Sequence, residues 1–193
     1  ATLGAALPLF HALKTLDVSN CNLQKIGTKA LFKAISLLER SKLTKIWAPG
    51  NFDEAMKMPE SVEVVCEALK SPAVKNLTSL NLGDNGIGPK GALKLAAALE
   101  ESKLPLTELL FGDCQLGMTG GAAIGKAANH LKALQHLDLF NCNMGDKGVS
   151  TISELMTSVP LTSLSLQANA ISWKGAVDVA KGLLALNAQL ENL

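Results

Sequence analysis

Few residues in this chain of 193 could do covalent chemistry, and their spacing argues against most of it. His11, His130 and His136 fall in three different expected elements, so no two share a face at metal-ligand spacing. His136 sits two residues before Asp138 on one expected strand, and an imidazole beside a carboxylate can act as acid or base. With no nucleophile near it, it reads as a surface histidine. Gly117-Met118-Thr119-Gly120-Gly121 is glycine-rich where a helix should begin, as a phosphate loop would be, but it lacks the Gly-Lys-Ser/Thr ending and reads as turn geometry. Lys90, Lys147 and Lys174 recur near successive expected helix starts, where a solvated rim is the plain reading and a weak anion stripe the alternative. Of the four cysteines, Cys21, Cys114 and Cys142 hold one position of a repeated unit and are placed by repetition rather than by pairing. They are expected to be reduced structural thiols, although a Cys114–Cys142 bridge is sterically conceivable. No catalytic, metal-ligating or cofactor-binding residues are assigned.

The unit that positions all of these is clearest over Leu77-Thr78-Ser79-Leu80-Asn81-Leu82-Gly83-Asp84-Asn85-Gly86-Ile87-Gly88-Pro89-Lys90-Gly91. Leu80 and Leu82 alternate with Ser79 and Asn81 as a strand with one apolar face, and Pro89 suits a first helical position, with Leu95 and Leu99 following at helical spacing. A strand, a turn and a helix cannot bury their apolar faces alone, so such units must stack. Equivalent starts fall at Leu13, Leu43, Leu77, Leu106, Leu134, Leu161 and Leu190, separated by 30, 34, 29, 28, 27 and 29 residues. Three positions on stand Leu16, Ile46, Leu80, Leu109, Leu137, Leu164 and Leu193, and two further on Val18, Ala48, Leu82, Phe111, Leu139 and Leu166, all expected to face inward.

Eight positions after each start comes Cys21, Asn51, Asn85, Cys114, Cys142 or Asn169, where a small polar group can bond to the turn's backbone. Gly27, Gly91, Gly120, Gly148 and Gly175 each lead a helix, where a missing Cβ allows close packing on the neighbour. In the second unit Asn51 and Pro59 are eight residues apart against four for Asn85 and Pro89, so residues 53–58 are expected to form an inserted loop beside Phe52. Such an insertion is either neutral drift or part of a binding edge. The motif Leu-x-x-Leu-x-Leu-x-x-(Asn/Cys)-x-Leu, in units of about 28 residues with a full helix, resembles the ribonuclease-inhibitor-like leucine-rich repeats. The resemblance implies an α/β solenoid over residues 1–193 as one domain, a right-handed horseshoe with a parallel sheet on the concave face and helices on the convex face. It also implies protein binding through the concave face, with ribonuclease inhibition, sensing and activation of the GTPase Ran as activities within the family. Neither end has the polar cap a solenoid normally carries, so the chain is expected to be a segment of a longer array, or to associate end to end or have its ends covered by another chain.

Composition limits the partner. The chain carries 18 basic and 17 acidic residues, a net charge of +1, with Arg40 its single arginine and its lysines scattered, which disfavours nucleic acid. No apolar run approaches a membrane span, and a cytoplasmic setting is expected. Strand alternation turns Asp17, Trp47, Asn81, Leu110, Asp138 and Ser165 to the concave surface, along with Thr15, Lys45, Ser79, Glu108, His136 and Ser163. Beyond them come Ser19, Pro49, Gly83, Gly112, Phe140 and Gln167, then Asn20, Gly50, Asp84, Asp113, Asn141 and Ala168. Carboxylates outnumber cations there while the whole chain is near neutral, and Trp47, Leu110 and Phe140 add apolar anchors. The expected function is a non-catalytic module binding a protein of basic or mixed surface through Trp47, Phe52, Asp84, Glu108, Leu110, Asp113, His136, Asp138 and Phe140. A regulator of a small GTPase and a structural spacer in a larger solenoid are the alternatives. Arg40, at an expected helix end off the concave face, offers no arginine finger.

Overall fold

Each three-residue strand of this chain is too short to persist alone, and all six described strands are paired in sequence order. A computed structural model describes residues 11–39, 41–51, 59–156, 158–185 and 190–193. Phe52, the rest of the inserted loop at 53–58 and Arg40 lie outside these residues. Strands β1 (Thr15–Asp17), β2 (Lys45–Trp47), β3 (Ser79–Asn81), β4 (Glu108–Leu110), β5 (His136–Asp138) and β6 (Ser163–Ser165) form one parallel sheet in the order β1-β2-β3-β4-β5-β6. The register is unbroken, running Asp17, Trp47, Asn81, Leu110, Asp138, Ser165 across it. A parallel isolated bridge between Ser163 and Asn192 adds the start of a seventh segment. Helices α1 (Gln24–Ser36), α2 (Pro59–Leu69), α3 (Gly88–Ser102), α4 (Gly117–Ala128), α5 (Gly145–Leu155) and α6 (Trp173–Ala185) follow the strands in turn, and a 3₁₀ turn at Pro72–Val74 follows α2. The result is an open leucine-rich repeat solenoid with the sheet on one side and the helices on the other.

The core is the layer between them. Leu16, Ile46, Leu80, Leu109, Leu137 and Leu164 are buried, as are Val18, Ala48, Leu82, Phe111, Leu139 and Leu166. From the helices come Leu31 and Ile35, Leu95 and Leu99, Ile124 and Ala128, Ile152 and Met156. Each large aliphatic side chain so buried contributes about 1.5 to 3 kcal/mol. The expectation fails at Leu193, which is 59% exposed, while Val179 and Leu183 of α6 are half-buried and pack against the core. The segment at Leu193 meets the sheet beside β6, where Glu191 and Asn192 N–H donate to Thr162 O and Leu164 N–H to Asn192 O.

What holds one repeat to the next is polar and buried. Asn85 donates from Nδ2 to the carbonyls of Ala48, Leu82 and Gly83 at 3.0, 2.8 and 3.0 Å, while its Oδ1 accepts from Asn51 N–H at 2.9 Å. Asn51 bonds to Val18 and Pro49, and Asn169 to Leu139, Leu166 and Gln167, in the same way. The thiols of Cys114 and Cys142 reach back 3.0 Å to the carbonyls of Leu82 and Phe111. Burial pushes both thiols up, Cys142 to about 11. Cys21 departs from this column: it is exposed, and its thiol meets Ser19 O of its own repeat at 3.5 Å.

The same column caps the helices. The residues at the caps, Leu23, Ile87, Leu116 and Met144, are apolar and make no side-chain cap. Instead the N–H groups of Gln24, Gly88, Gly117 and Gly145 donate to the carbonyls of Asn51, Cys114, Cys142 and Asn169 in the following repeat, at 2.9 to 3.1 Å. Donors orphaned at a helix start are thus satisfied by the neighbour. Glycine in the first helical turn lets the neighbour approach: a Cβ on Gly120 would lie 2.7 Å from Ala92 Cβ, and one on Gly175 2.5 Å from Asp146 Oδ1. At Gly148 the obstructing atom is Met144 Cβ of the same repeat, at 2.6 Å, so close packing there is internal as well.

The Asn85 bonds predict a graded result. Asn85→Ala strands several buried backbone groups and should cost about 3 to 4 kcal/mol in urea unfolding, whereas Asn85→Cys, which can reach back as Cys114 does, should cost about half of that.

Candidate functional site

The concave surface begins where the strand-to-helix turns leave the sheet, and its shape is set by backbone conformation. Asn20, Gly50, Asp84, Asp113, Asn141 and Ala168 all have left-handed φ, at 53, 64, 51, 60, 47 and 58°. Asn, Asp and Gly tolerate that region, and alanine costs roughly 1 to 2 kcal/mol more there than in an ordinary well. The carboxylates of Asp84 and Asp113 therefore stand at turn positions that the backbone already reserves for such residues. The ladder continues past the strands through them, with Asp84 N donating to Gly112 O at 2.7 Å and Asp113 N to Phe140 O at 2.8 Å.

Side-chain bonds fix the remaining groups. Asp138 Oδ1 accepts from Phe140 N–H at 2.9 Å, as Asn81 Oδ1 does from Gly83 N–H and Asp17 Oδ1 from Ser19 N–H. Hydrogen bonds from Ser19 hold the Asp17 carboxyl below its usual range. Asp113 Oδ1 accepts from Asn141 Nδ2 at 2.7 Å. Trp47 is half-buried: its Nε1 donates to Ser79 Oγ at 2.9 Å, and Lys45 Nζ sits 5.4 Å from its ring centroid. Ser79, expected on the open surface, is 1% exposed beneath that indole.

An open hollow of about 520 Å³ lies over β3 to β6. It is lined by Asp84, Leu110, Asp113, His136, Asp138 and Phe140, six of the nine expected site residues, together with Pro49, Asn81, Gly83, Gly112, Leu137, Ser163 and Ser165. Trp47 and Glu108 lie on the same face, in register with Leu110 and His136 respectively, but outside the hollow. Phe52 falls outside the described residues. Phe140 is 36% exposed, and Leu110 and Trp47 are half-buried, so all three apolar groups reach the surface. The glycines of the hollow were visible in the column Pro49, Gly83, Gly112, Phe140; what marked them was the absence of a side chain between two bulky ones.

Charge is arranged unevenly. On the helical side, Glu60 bonds to Lys25 and Lys29 at 2.8 and 2.7 Å, and those hydrogen bonds hold its carboxyl at about 2. Glu63 pairs with Lys94 and Glu101 with Lys70. Among the described residues, no lysine lies within salt-bridge distance of Asp84, Asp113 or Asp138. No group of three or more potential metal ligands occurs among the described residues either. No described helix is long and apolar enough to cross a membrane. The arrangement can hold a cation or a basic surface by charge and apolar contact, and Ser163 stands in register beside His136 on the neighbouring strand.

Comparisons with known proteins follow the repeats. Family models described as Leucine Rich repeat match residues 75–96, 130–153 and 12–34. Ribonuclease inhibitor of Mus musculus is 27% identical over 169 residues, covering 87% of this chain and 35% of that protein. Protein phosphatase 1 regulatory subunit 37 homolog of Caenorhabditis briggsae is 26% identical over 192 residues, covering 99% of this chain and 20% of its own. NACHT, LRR and PYD domains-containing protein 13 of Homo sapiens is 29% identical over 184 residues, covering 94% and 17%. The chain thus spans about a third or less of the length of these relatives. A solved internalin of Listeria monocytogenes aligns over 96% of this chain and 48% of its own, at 18% identity and a TM-score of 0.48.

If backbone conformation fixes the residue type at these turns, charge can be removed without loss of fold. Asp84→Asn and Asp113→Asn should each stay within about 0.5 kcal/mol of the parent in urea unfolding, while Asp113→Val, β-branched in the left-handed region, should cost about 2 kcal/mol.

Proposed function

This chain belongs to the ribonuclease-inhibitor-like leucine-rich repeat proteins, and from that premise we propose that it is a non-catalytic recognition module. Solenoids of this kind present extended concave binding surfaces. The concave face takes a partner protein of basic or mixed surface. The observation that carries the reading is a contrast in pairing: Glu60, Glu63, Glu101 and Asp178 on the helices each pair with lysine, whereas Asp84, Asp113 and Asp138 stand beside Leu110 and Phe140 with no lysine partner among the described residues. A desolvated apolar contact supplies affinity, and unpaired charge around it supplies orientation and association rate.

Trp47 belongs to the same face in this reading, held edge-on by Ser79 and ready to pack on whatever covers β2. Glu108 and His136 line up beside it along the sheet. The module works in a reducing compartment, the cytoplasm, an assignment supported by the two buried thiols that bond to carbonyls. Residues 1–193 act as one domain, and end-to-end association stays within the reading, supported by the exposed Trp173, Val177 and Leu184 on α6. The relative named as a phosphatase regulatory subunit supports control of a bound enzyme as the outcome of binding.

A displayed library of random twelve-residue peptides, selected on the immobilised chain at 50 mM salt, tests the face without a known partner. Selected peptides should be rich in Lys or Arg next to apolar residues. Their affinity should fall at least tenfold for Asp84→Asn/Asp113→Asn and for Phe140→Ala, and fall with added salt. Acidic selected sequences, or binding indifferent to both variants, would count against the face.

A further inference from the structure

The hollow is narrower in purpose than the face around it. Its floor is Gly83 and Gly112, neighbours in one column where they stand between Pro49 and Phe140. Neither glycine has a φ in the left-handed range, so neither is required by the turn, and a side chain at either would have an ordinary backbone to stand on. What the two glycines do is leave the floor bare. Across four adjacent parallel strands the outer pair stands about 14 Å apart, wide enough for one extended side chain with its backbone above the sheet.

The rim of this slot is not symmetric. A Cβ on Gly112 would lie 2.9 Å from Asp138 Oδ2, so that carboxylate oxygen leans over the bare floor while its Oδ1 is held by Phe140 N–H. Asp113 follows Gly112 in the chain, with one oxygen held by Asn141 Nδ2. Asp84 follows Gly83 and is exposed. Leu110 and Phe140 give apolar wall, and Ser163 and Ser165 close the far side with hydroxyls. Among the described residues no lysine lines the slot, and His136 is the one basic residue that does.

We infer that the slot over Gly83 and Gly112 receives one cationic side chain of the partner, its aliphatic stem against Leu110 and Phe140 and its head between Asp113 and Asp138. This rests on the concave-face reading above and narrows it to a single anchoring contact. A long side chain with an apolar stem and a charged tip matches a wall that is apolar and a rim that is acidic. Lysine and arginine share that chemistry, and the planar guanidinium additionally suits two carboxylates at once.

The test titrates three capped tripeptides, acetyl-Gly-Arg-Gly-amide, acetyl-Gly-Lys-Gly-amide and acetyl-Gly-Gln-Gly-amide, into the ¹⁵N-labelled chain and follows its amide resonances. The arginine or lysine peptide should give saturable shifts centred on Gly83, Leu110, Gly112 and Phe140, and the glutamine peptide none at equal concentration. Affinity should fall at least tenfold for Asp84→Asn/Asp113→Asn, which removes charge, and for Gly112→Val, which fills the floor. Equal binding of the glutamine peptide, shifts that map away from the slot, or undiminished binding to both variants would overturn the inference. If that happens while library-selected peptides still lose affinity for Asp84→Asn/Asp113→Asn, the slot fails and the face stands; if those peptides are indifferent too, both fall.

Discussion

Hydrogen bonds from each repeat's turn to the next repeat are the constraint on which the rest of this molecule depends. A three-residue strand that turns at once into a helix leaves N–H and C=O groups that its own repeat cannot satisfy, and leaving them buried would cost more than the turn's packing returns. The following repeat supplies the partners: the carbonyls of Asn51, Cys114, Cys142 and Asn169 meet the helix starts, and their side chains, with that of Asn85, meet the preceding strand ends. Register is therefore fixed to the residue. Once register is fixed, every concave column is a straight line of side chains.

That straightness produces the candidate site. A hollow in a sheet face needs neighbouring strands to place small and large residues in one row, which a slip of a single residue would destroy. Pro49, Gly83, Gly112 and Phe140 fall in one row because the ladder holds Gly50 to Gly83, Asp84 to Gly112 and Asp113 to Phe140. The left-handed turn next to that row favours Asn, Asp or Gly, although Ala168 also adopts it, and two of its members here are aspartates. Backbone geometry and surface charge are thus met by the same residues, which is why the face can be acidic without added strain.

Most of the fold was legible because it repeats: Leu80, Leu109 and Leu137 each announce the same environment, and an error at one unit would have shown as a mismatch with the others. Repetition also explains where the reading failed. Cys21 and Leu193 hold repeat positions but are exposed, with no covering repeat among the described residues. For the candidate site, alternation placed Asp138, Leu110 and Phe140 on the concave face, where the hollow lies, but it could not show that Ser79 is covered by Trp47, since that depends on an indole rotamer and one hydrogen bond. Nor could it separate the turn requirement at Asp84 and Asp113 from the proposed charge role, because residues that permit a left-handed turn and residues that attract a cation are the same types. The column of turn conformations distinguishes those roles only when all six units are seen together.

The central claim is that ordered repeats expose the concave face, and that face alone, to a partner. Hydrogen–deuterium exchange of the chain with and without a saturating basic peptide selected on it measures this directly. The account predicts added protection at the strand ends and turns of residues 81–84, 110–113 and 136–141, with α3, α4 and α5 unchanged. Protection confined to those helices, with the strand ends exchanging as in the free chain, would contradict it.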